Sequence, residues 1–158
     1  RQVYIRVVRS DLPEYEVKQM PEDYHFEMGK ATVIREGTDI SLVGSGIMVS
    51  RCKEAAEILA GKGISAEVIN VSTIKPLDED TIVQSASKTR HVVTAENNTV
   101  IGGLGGAIAE VLGEKCPVKI GRIGIQDRFG HSGLIDELLD IYNLTTEDIV
   151  KKALEILE

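Results

Sequence analysis

The run Ala95-Glu96-Asn97-Asn98-Thr99-Val100-Ile101-Gly102-Gly103-Leu104-Gly105-Gly106 decides the fold. It closes an apolar strand, His91-Val92-Val93-Thr94-Ala95, with an acid and two asparagines. It then opens a helix on paired glycines, whose bare backbone packs tightly or lies close to a neighbouring segment. A strand, a polar loop and a glycine-rich helix start are half of a βαβ unit.

The same alternation continues on both sides. Upstream, Ile40-Ser41-Leu42-Val43 is an apolar strand ending at Gly44-Ser45-Gly46. The stretch 47–60 is helical: Cys52, Ala55, Ala56 and Leu59 recur at i, i+3, i+4 and i+7, one stripe against a sheet, and Gly61 and Gly63 end it. Ala66-Glu67-Val68-Ile69-Asn70-Val71 is the next strand; Pro76 stops it, and Asp78 caps a helix through Ser87. Downstream, the helix from Gly103 to Leu112 leads to a strand at Val118-Lys119-Ile120. A polar loop from Arg122 to Ser132 precedes a helix over Leu134–Ile141. The last helix follows Thr145, with Asp148 in the capping-box position and Ile149, Val150, Ala153, Leu154 and Leu157 on one face. Ahead of this block, 26–34 suits an extended or hairpin segment, and 3–8 is a β-branched run that reads as a strand. The expected fold is a three-layer α/β/α sandwich with a mainly parallel, mixed five-stranded sheet.

The chain has 158 residues, 42% hydrophobic, enough for one compact domain and an extra segment. A net charge of −7 argues against a nucleic-acid or anionic-membrane surface, but not against a small anionic ligand that needs one or two local cations. Cys52 and Cys116 have no metal-site spacing and read as free buried thiols of a reducing compartment. No apolar stretch approaches the roughly 18 residues that span a bilayer, and the expected location is cytoplasmic. A first residue of Arg1, running straight into a strand pattern, reads as a start in mid-protein.

Several residues invite a chemical role. Gly44-Ser45-Gly46 suggests a dinucleotide loop, but Val49 stands where the third glycine belongs and no acid closes the following strand, so a tight turn is expected. Glu96, at the carboxyl end of a parallel strand, is either a general base or a brace for the glycine-rich loop. The glycines of 102–106 suit a phosphate cradle or close helix–sheet packing. His131, in Asp127-Arg128-Phe129-Gly130-His131-Ser132-Gly133, titrates usefully or braces its loop; His25 and His91 are expected to be structural. Arg9 ends the first strand, three residues after Arg6, and is either a phosphate clamp or a surface ion pair.

Four stretches, in order, resemble the transketolase family of thiamine-diphosphate-dependent enzymes. They are Val3-Tyr4-Ile5-Arg6-Val7-Val8-Arg9-Ser10-Asp11-Leu12-Pro13, Ile69-Asn70-Val71-Ser72-Thr73-Ile74-Lys75-Pro76-Leu77-Asp78, the run Glu96–Gly106, and Ile123-Gly124-Ile125-Gln126-Asp127-Arg128-Phe129-Gly130-His131-Ser132-Gly133. The match is to the C-terminal half found in split transketolases. It implies that residues 1–9 are the last strand of a pyrimidine-binding domain, 10–35 a linker and 36–158 the transketolase C-terminal domain. It implies two-carbon ketol transfer between sugar phosphates, as in pentose phosphate metabolism, in an assembled dimeric enzyme, with a structural and assembly role for this chain and no activity alone. Thiamine diphosphate and Mg²⁺ would sit in the full enzyme and not on this chain, with no catalytic, cofactor-binding or metal-binding residue here. The partners implied are the N-terminal pyrophosphate-binding and pyrimidine-binding domains and further copies of the chain. The family's sugar-phosphate arginine matches Arg9. Asn98 stands where many relatives have His, and His131 where they often have an acid. The alternatives are the C-terminal domain of a 2-oxoacid dehydrogenase or oxidoreductase β subunit, of deoxyxylulose-phosphate synthase (whose Tyr-Pro-Arg-Gly signature is absent), or a non-catalytic assembly or regulatory domain.

Overall fold

The computed structural model describes residues 2–8, 20, 21 and 24–158. Its elements are β1 (Ala31–Arg35), β2 (Ile40–Gly44), α1 (Met48–Ala60), β3 (Ala66–Val71), α2 (Glu79–Thr89), β4 (His91–Thr99), α3 (Leu104–Lys115), β5 (Lys119–Ile125), α4 (Ile135–Ile141) and α5 (Thr146–Leu157). The sheet order is β1-β3-β2-β4-β5. Four strands run parallel, and β1 joins β3 antiparallel, from Ala31 opposite Val71 to Arg35 opposite Val68. This is the mixed five-stranded α/β sandwich that the alternation of strands and helices implies.

Covering both faces of a parallel sheet buries its central strands entirely, so they read as unbroken apolar runs. Every residue of β2 and β3 is buried. One core lies under α1, α4 and α5; the other, built around Ile69, Ile82, Leu104, Ile108 and Leu112, lies under α2 and α3. The stripe of α1 is buried as its spacing requires, with Cys52, Ala55, Ala56 and Leu59 at 0% exposure. Full burial of one such leucine is worth about 1.5–3 kcal/mol. In α5 the buried residues are Ile149, Val150, Ala153 and Ile156, while Leu154 and Leu157 pack partly buried at the margin.

Local chemistry sets the helix ends. Asp78 caps α2 by accepting the Thr81 N–H at 3.3 Å. Thr145 and Asp148 form a reciprocal capping box on α5 (3.2 and 3.1 Å). The turn 44–46 brings α1 directly over β2: a Cβ on Gly44 would stand 3.2 Å from Cys52 Sγ and from the Val49 backbone.

Three boundaries differ from the sequence reading. Strand β4 continues through the polar residues to Thr99 because β5 extends beside it, pairing Ile125 with Thr99 after a register shift. The span 10–35 is not linker throughout, since β1 occupies its end. Residues 2–8 form no strand: they pair with none of the five strands, and Tyr4, Ile5 and Val7 project into solvent.

Candidate functional site

In open α/β sheets, ligands meet the carboxyl ends of the parallel strands. Here that edge is organised by Glu96. Its carboxylate turns inward at the end of β4, is 2% exposed, and accepts the backbone N–H groups of Leu104 and Gly105, both at 2.9 Å. Those are the unpaired donors of the first turn of α3. Burial pushes the Glu96 carboxyl above its ordinary value; the two backbone N–H groups and the charges of Arg122 and Arg6 oppose that without cancelling it. Gly103 lets the carboxylate in, because a Cβ there would overlap Glu96 Oε2 and Thr99 O. Gly105 is equally constrained, with Thr94 Oγ1 only 2.7 Å from where its Cβ would lie.

This geometry decides two of the open alternatives. Glu96 braces the loop: both its oxygens are committed and hidden, so it cannot reach a substrate proton. The glycine-rich helix start is filled by that carboxylate, and a phosphate brought there would meet a like charge. The same point bears on a metal-bound diphosphate, for which these residues are not a fitting cradle; nor, among the described residues, do three His, Cys, Asp or Glu side chains converge as metal ligands. The Gly44–Gly46 turn is knitted to β4 by the Ser45 N–H donating to Ala95 O at 3.2 Å. Gly46 has φ +56°, a conformation that favours glycine. It is the tight turn expected.

Around this edge Arg6 Nη2 donates to Asn97 O at 2.9 Å, and Arg122 Nη1 to Val100 O at 3.2 Å. Arg9 lies outside the described residues, as does all of the chain between it and Met20.

The loop containing His131 is braced from α4. The Tyr142 hydroxyl donates to Phe129 O and accepts the His131 backbone N–H, each at 2.8 Å. His131 Nδ1 lies 2.8 Å from the same oxygen. With the hydroxyl proton directed at Phe129 O, Nδ1 must carry the proton that completes this bond. Arg128 stacks over the Tyr142 ring at 5.7 Å. His131 is thus a loop brace, His91 Nδ1 donates to Thr89 O at 3.2 Å, and His25 is exposed. Burial pushes the Cys52 thiol up to about 12, consistent with an inert core thiol.

Two polar constellations escaped the sequence reading. Under α2, Glu67 is buried within β3 and accepts from Ser85 Oγ and from Lys88 Nζ, which also reaches Glu36 at 2.9 Å. Ser41 Oγ lies 2.6 Å from Ser85 Oγ and 2.7 Å from Thr89 Oγ1. A carboxylate only accepts, so the hydroxyls run as a file from Ser41 to Ser85 to Glu67, joined at Ser41 by Thr89 Oγ1, which also reaches Ser85 O and His91 O, both at 3.1 Å. The signal was an acid in a mainly apolar buried strand, which must find partners. The second is the tie between β1 and α2 made by Asp78, expected only as a cap: besides its cap bond it accepts from Ala31 N (3.0 Å) and Thr81 Oγ1 (2.9 Å). Burial raises its carboxyl, but these three hydrogen bonds and the Lys30 charge outweigh that and hold it below the ordinary value.

Comparison with known proteins matches residues 29–149 to the family model described as transketolase, C-terminal domain. The 6-deoxy-6-sulfo-D-fructose transketolase subunit SqwH of Clostridium sp. (strain MSTE9) is 50% identical over 156 residues, 99% of this chain and 47% of the relative. A putative transketolase C-terminal section from Methanocaldococcus jannaschii is 42% identical, over 97% of this chain and 47% of its own length. The solved structure of a split-gene transketolase, described as an inactive β4 tetramer, superposes with a TM-score of 0.87 at 42% identity, covering 94% of this chain and 48% of that one. The chain spans about half the length of the relatives it matches.

Proposed function

The chain belongs to the transketolase C-terminal domain family, and from that premise we propose that it is the C-terminal portion of a thiamine-diphosphate-dependent transketolase. The likeness to the split-gene transketolase over 94% of the chain carries this reading. The assembled enzyme moves a two-carbon ketol unit from a ketose to an aldose. This chain shapes and assembles it, and is inactive alone; the description of the split-gene relative as an inactive tetramer of one subunit type supports that. Thiamine diphosphate and Mg²⁺ are held by the pyrophosphate-binding and pyrimidine-binding domains of its partners, consistent with a helix start already filled by Glu96. Two free thiols, Cys52 and Cys116, support a cytoplasmic enzyme, and further copies of the chain take part in the oligomer.

The residue of this chain assigned to substrate is Arg9. A guanidinium gives paired, permanently charged donors to an oxyanion. The substrate class is a ketose with an anionic group at its far end. SqwH is named for a sulfonated ketose, and the pentose phosphates offer a phosphate at the equivalent place. Binding through that remote group orients the ketose and is the same in ground and transition states.

The test supplies the missing domains, thiamine diphosphate and Mg²⁺. It compares xylulose 5-phosphate or 6-deoxy-6-sulfofructose donors, each with an aldose phosphate acceptor, against pyruvate. Ketol transfer that depends on this chain supports the reading, and Arg9→Ala then raises KM for the anionic donor by about 10- to 100-fold, as loss of a charged hydrogen bond implies. Turnover of pyruvate alone would overturn it.

A further inference from the structure

We propose that the loop 127–134 is the surface by which a second copy of this chain docks, its Phe129 ring entering the groove between α1, α4 and α5 of that copy. The inference rests on the reading above that further copies take part in the oligomer, and it names their contact.

Phe129 is 96% exposed, yet its backbone is held in place. The buried Tyr142 donates its hydroxyl proton to the Phe129 carbonyl and accepts the His131 N–H, each at 2.8 Å. Arg128 lies over the Tyr142 ring and donates to Ile141 O at 3.4 Å. At the other end of the loop the N–H of Leu134, itself exposed, donates to Glu137 at 3.1 Å. A loop fixed at both ends presents its apolar side chains with little ordering left to do on binding. A covered aromatic ring removes about 150–250 Å² from water, and aromatic and arginine side chains are the usual anchors of an interface.

The chain also carries a groove that suits this knob. Between α1, α4 and the start of α5 lies a cleft of about 500 Å³. Ile58 and Leu139 give it an apolar wall, and Ile58 is half-exposed there. Asp136, Asp140 and Glu147 line it beside Arg51, and those three acids form no ion pair among the described residues. Arg128 likewise has no carboxylate paired with it among the described residues. Ring against apolar wall and guanidinium against acids is a complementary match between two copies. Both halves of the match are carried by α4: the loop leads into its first turn, and Asp136, Leu139 and Asp140 face the groove. A two-fold axis beside α4 lets the contact form twice, each copy giving its loop and receiving the other's. A second copy as the occupant is supported by the split-gene relative, described as a tetramer of one subunit type.

Cross-linking tests this in the chain and in the assembled enzyme. Both native cysteines are buried, so thiols placed on the surface react apart from them. Chain carrying Phe129→Cys is mixed with chain carrying Ile58→Cys and oxidised. A covalent dimer of the two variants is expected, in far higher yield than from either variant alone. Phe129→Asp is expected to raise the dissociation constant between copies by about 10- to 100-fold in sedimentation, with an unchanged circular-dichroism spectrum. No disulfide between the two variants would overturn the proposal, as would self-association that Phe129→Asp leaves unchanged. A Phe129→Cys chain that cross-links instead to the partner domains would overturn it too, by giving the loop another occupant. Ketol transfer by the wild-type assembly is measured alongside: its absence would overturn the functional reading, while the cross-link still decides the contact.

Discussion

The carboxylate of Glu96 fills the space that a side chain on Gly103 would occupy, so the first turn of α3 is closed by a residue eight and nine positions upstream of the N–H groups it accepts. The glycine is needed for room, not for torsion: its φ of −96° is open to any residue. The overlap falls partly on the Thr99 carbonyl, which cannot swing aside as a side-chain tip would.

Gly103→Ala is therefore expected to lower stability by about 1–3 kcal/mol, read as a fall in the urea midpoint. The control is Gly113→Ala in the exposed interior of α3, where a Cβ meets nothing within 4 Å. There the substitution should raise stability by about 0.5–1 kcal/mol. Equal effects at the two positions would contradict the account of Gly103.

Glu96 carries a pH signature. Its carboxyl is raised in the folded protein, so the fold binds that proton more readily than the unfolded chain does. The stability it contributes is fully present below the unfolded value of about 4.3 and is lost as pH rises through the raised folded value. Denaturation of wild type and Glu96→Gln at pH 4 and pH 7 should show a larger wild-type advantage at pH 4. A larger advantage at pH 7 would mean that the backbone donors outweigh burial.

Asp78 has the opposite sign. Its lowered carboxyl stabilises the fold above the unfolded value of about 3.9, and that contribution disappears as pH falls through the folded value. Asp78→Ala should cost about 1–2 kcal/mol at pH 7 as a lost cap, and less in acid. Because Asp78 also holds Ala31, amide exchange in β1 should accelerate more than exchange in β2.

Lys88→Met leaves the buried carboxylate of Glu67 without its cation. A loss of about 1–3 kcal/mol is expected from the orphaned group. Adding Glu67→Gln should recover part of that loss by removing the charge. If the double substitution is worse than Lys88→Met alone, the lysine was not compensating Glu67.

The order of strands and helices was legible because period and punctuation agreed along most of the chain: Cys52 to Leu59 marked a buried stripe, and Asp78 and Thr145 marked helix starts. The end of β4 was less legible. Glu96 to Thr99 read as a loop because they are polar, and they are strand because β5 lies alongside, a fact of tertiary pairing. Glu96 itself stood between two roles until the position of α3 was known. The file from Ser41 to Glu67 was hidden because its members come from β2, β3 and α2, and no spacing in one segment announces it. The run 3–8 shows the converse: strand propensity without a neighbouring strand makes no strand.

The direction of β1 determines how the chain reaches its working edge. A fifth parallel strand would have been entered from the amino ends of the sheet, on the far side of the molecule. Running β1 backwards places Ala31 opposite Val71, at the carboxyl end of β3, so the chain enters β1 on the side where Asn97 and the strand-end loops lie. One reversed edge strand thus acts as a doorway. It spares the chain a crossing of the whole sheet, about 17 Å for five residues, and suits the reach of Arg6 to the end of β4, 91 residues away in sequence.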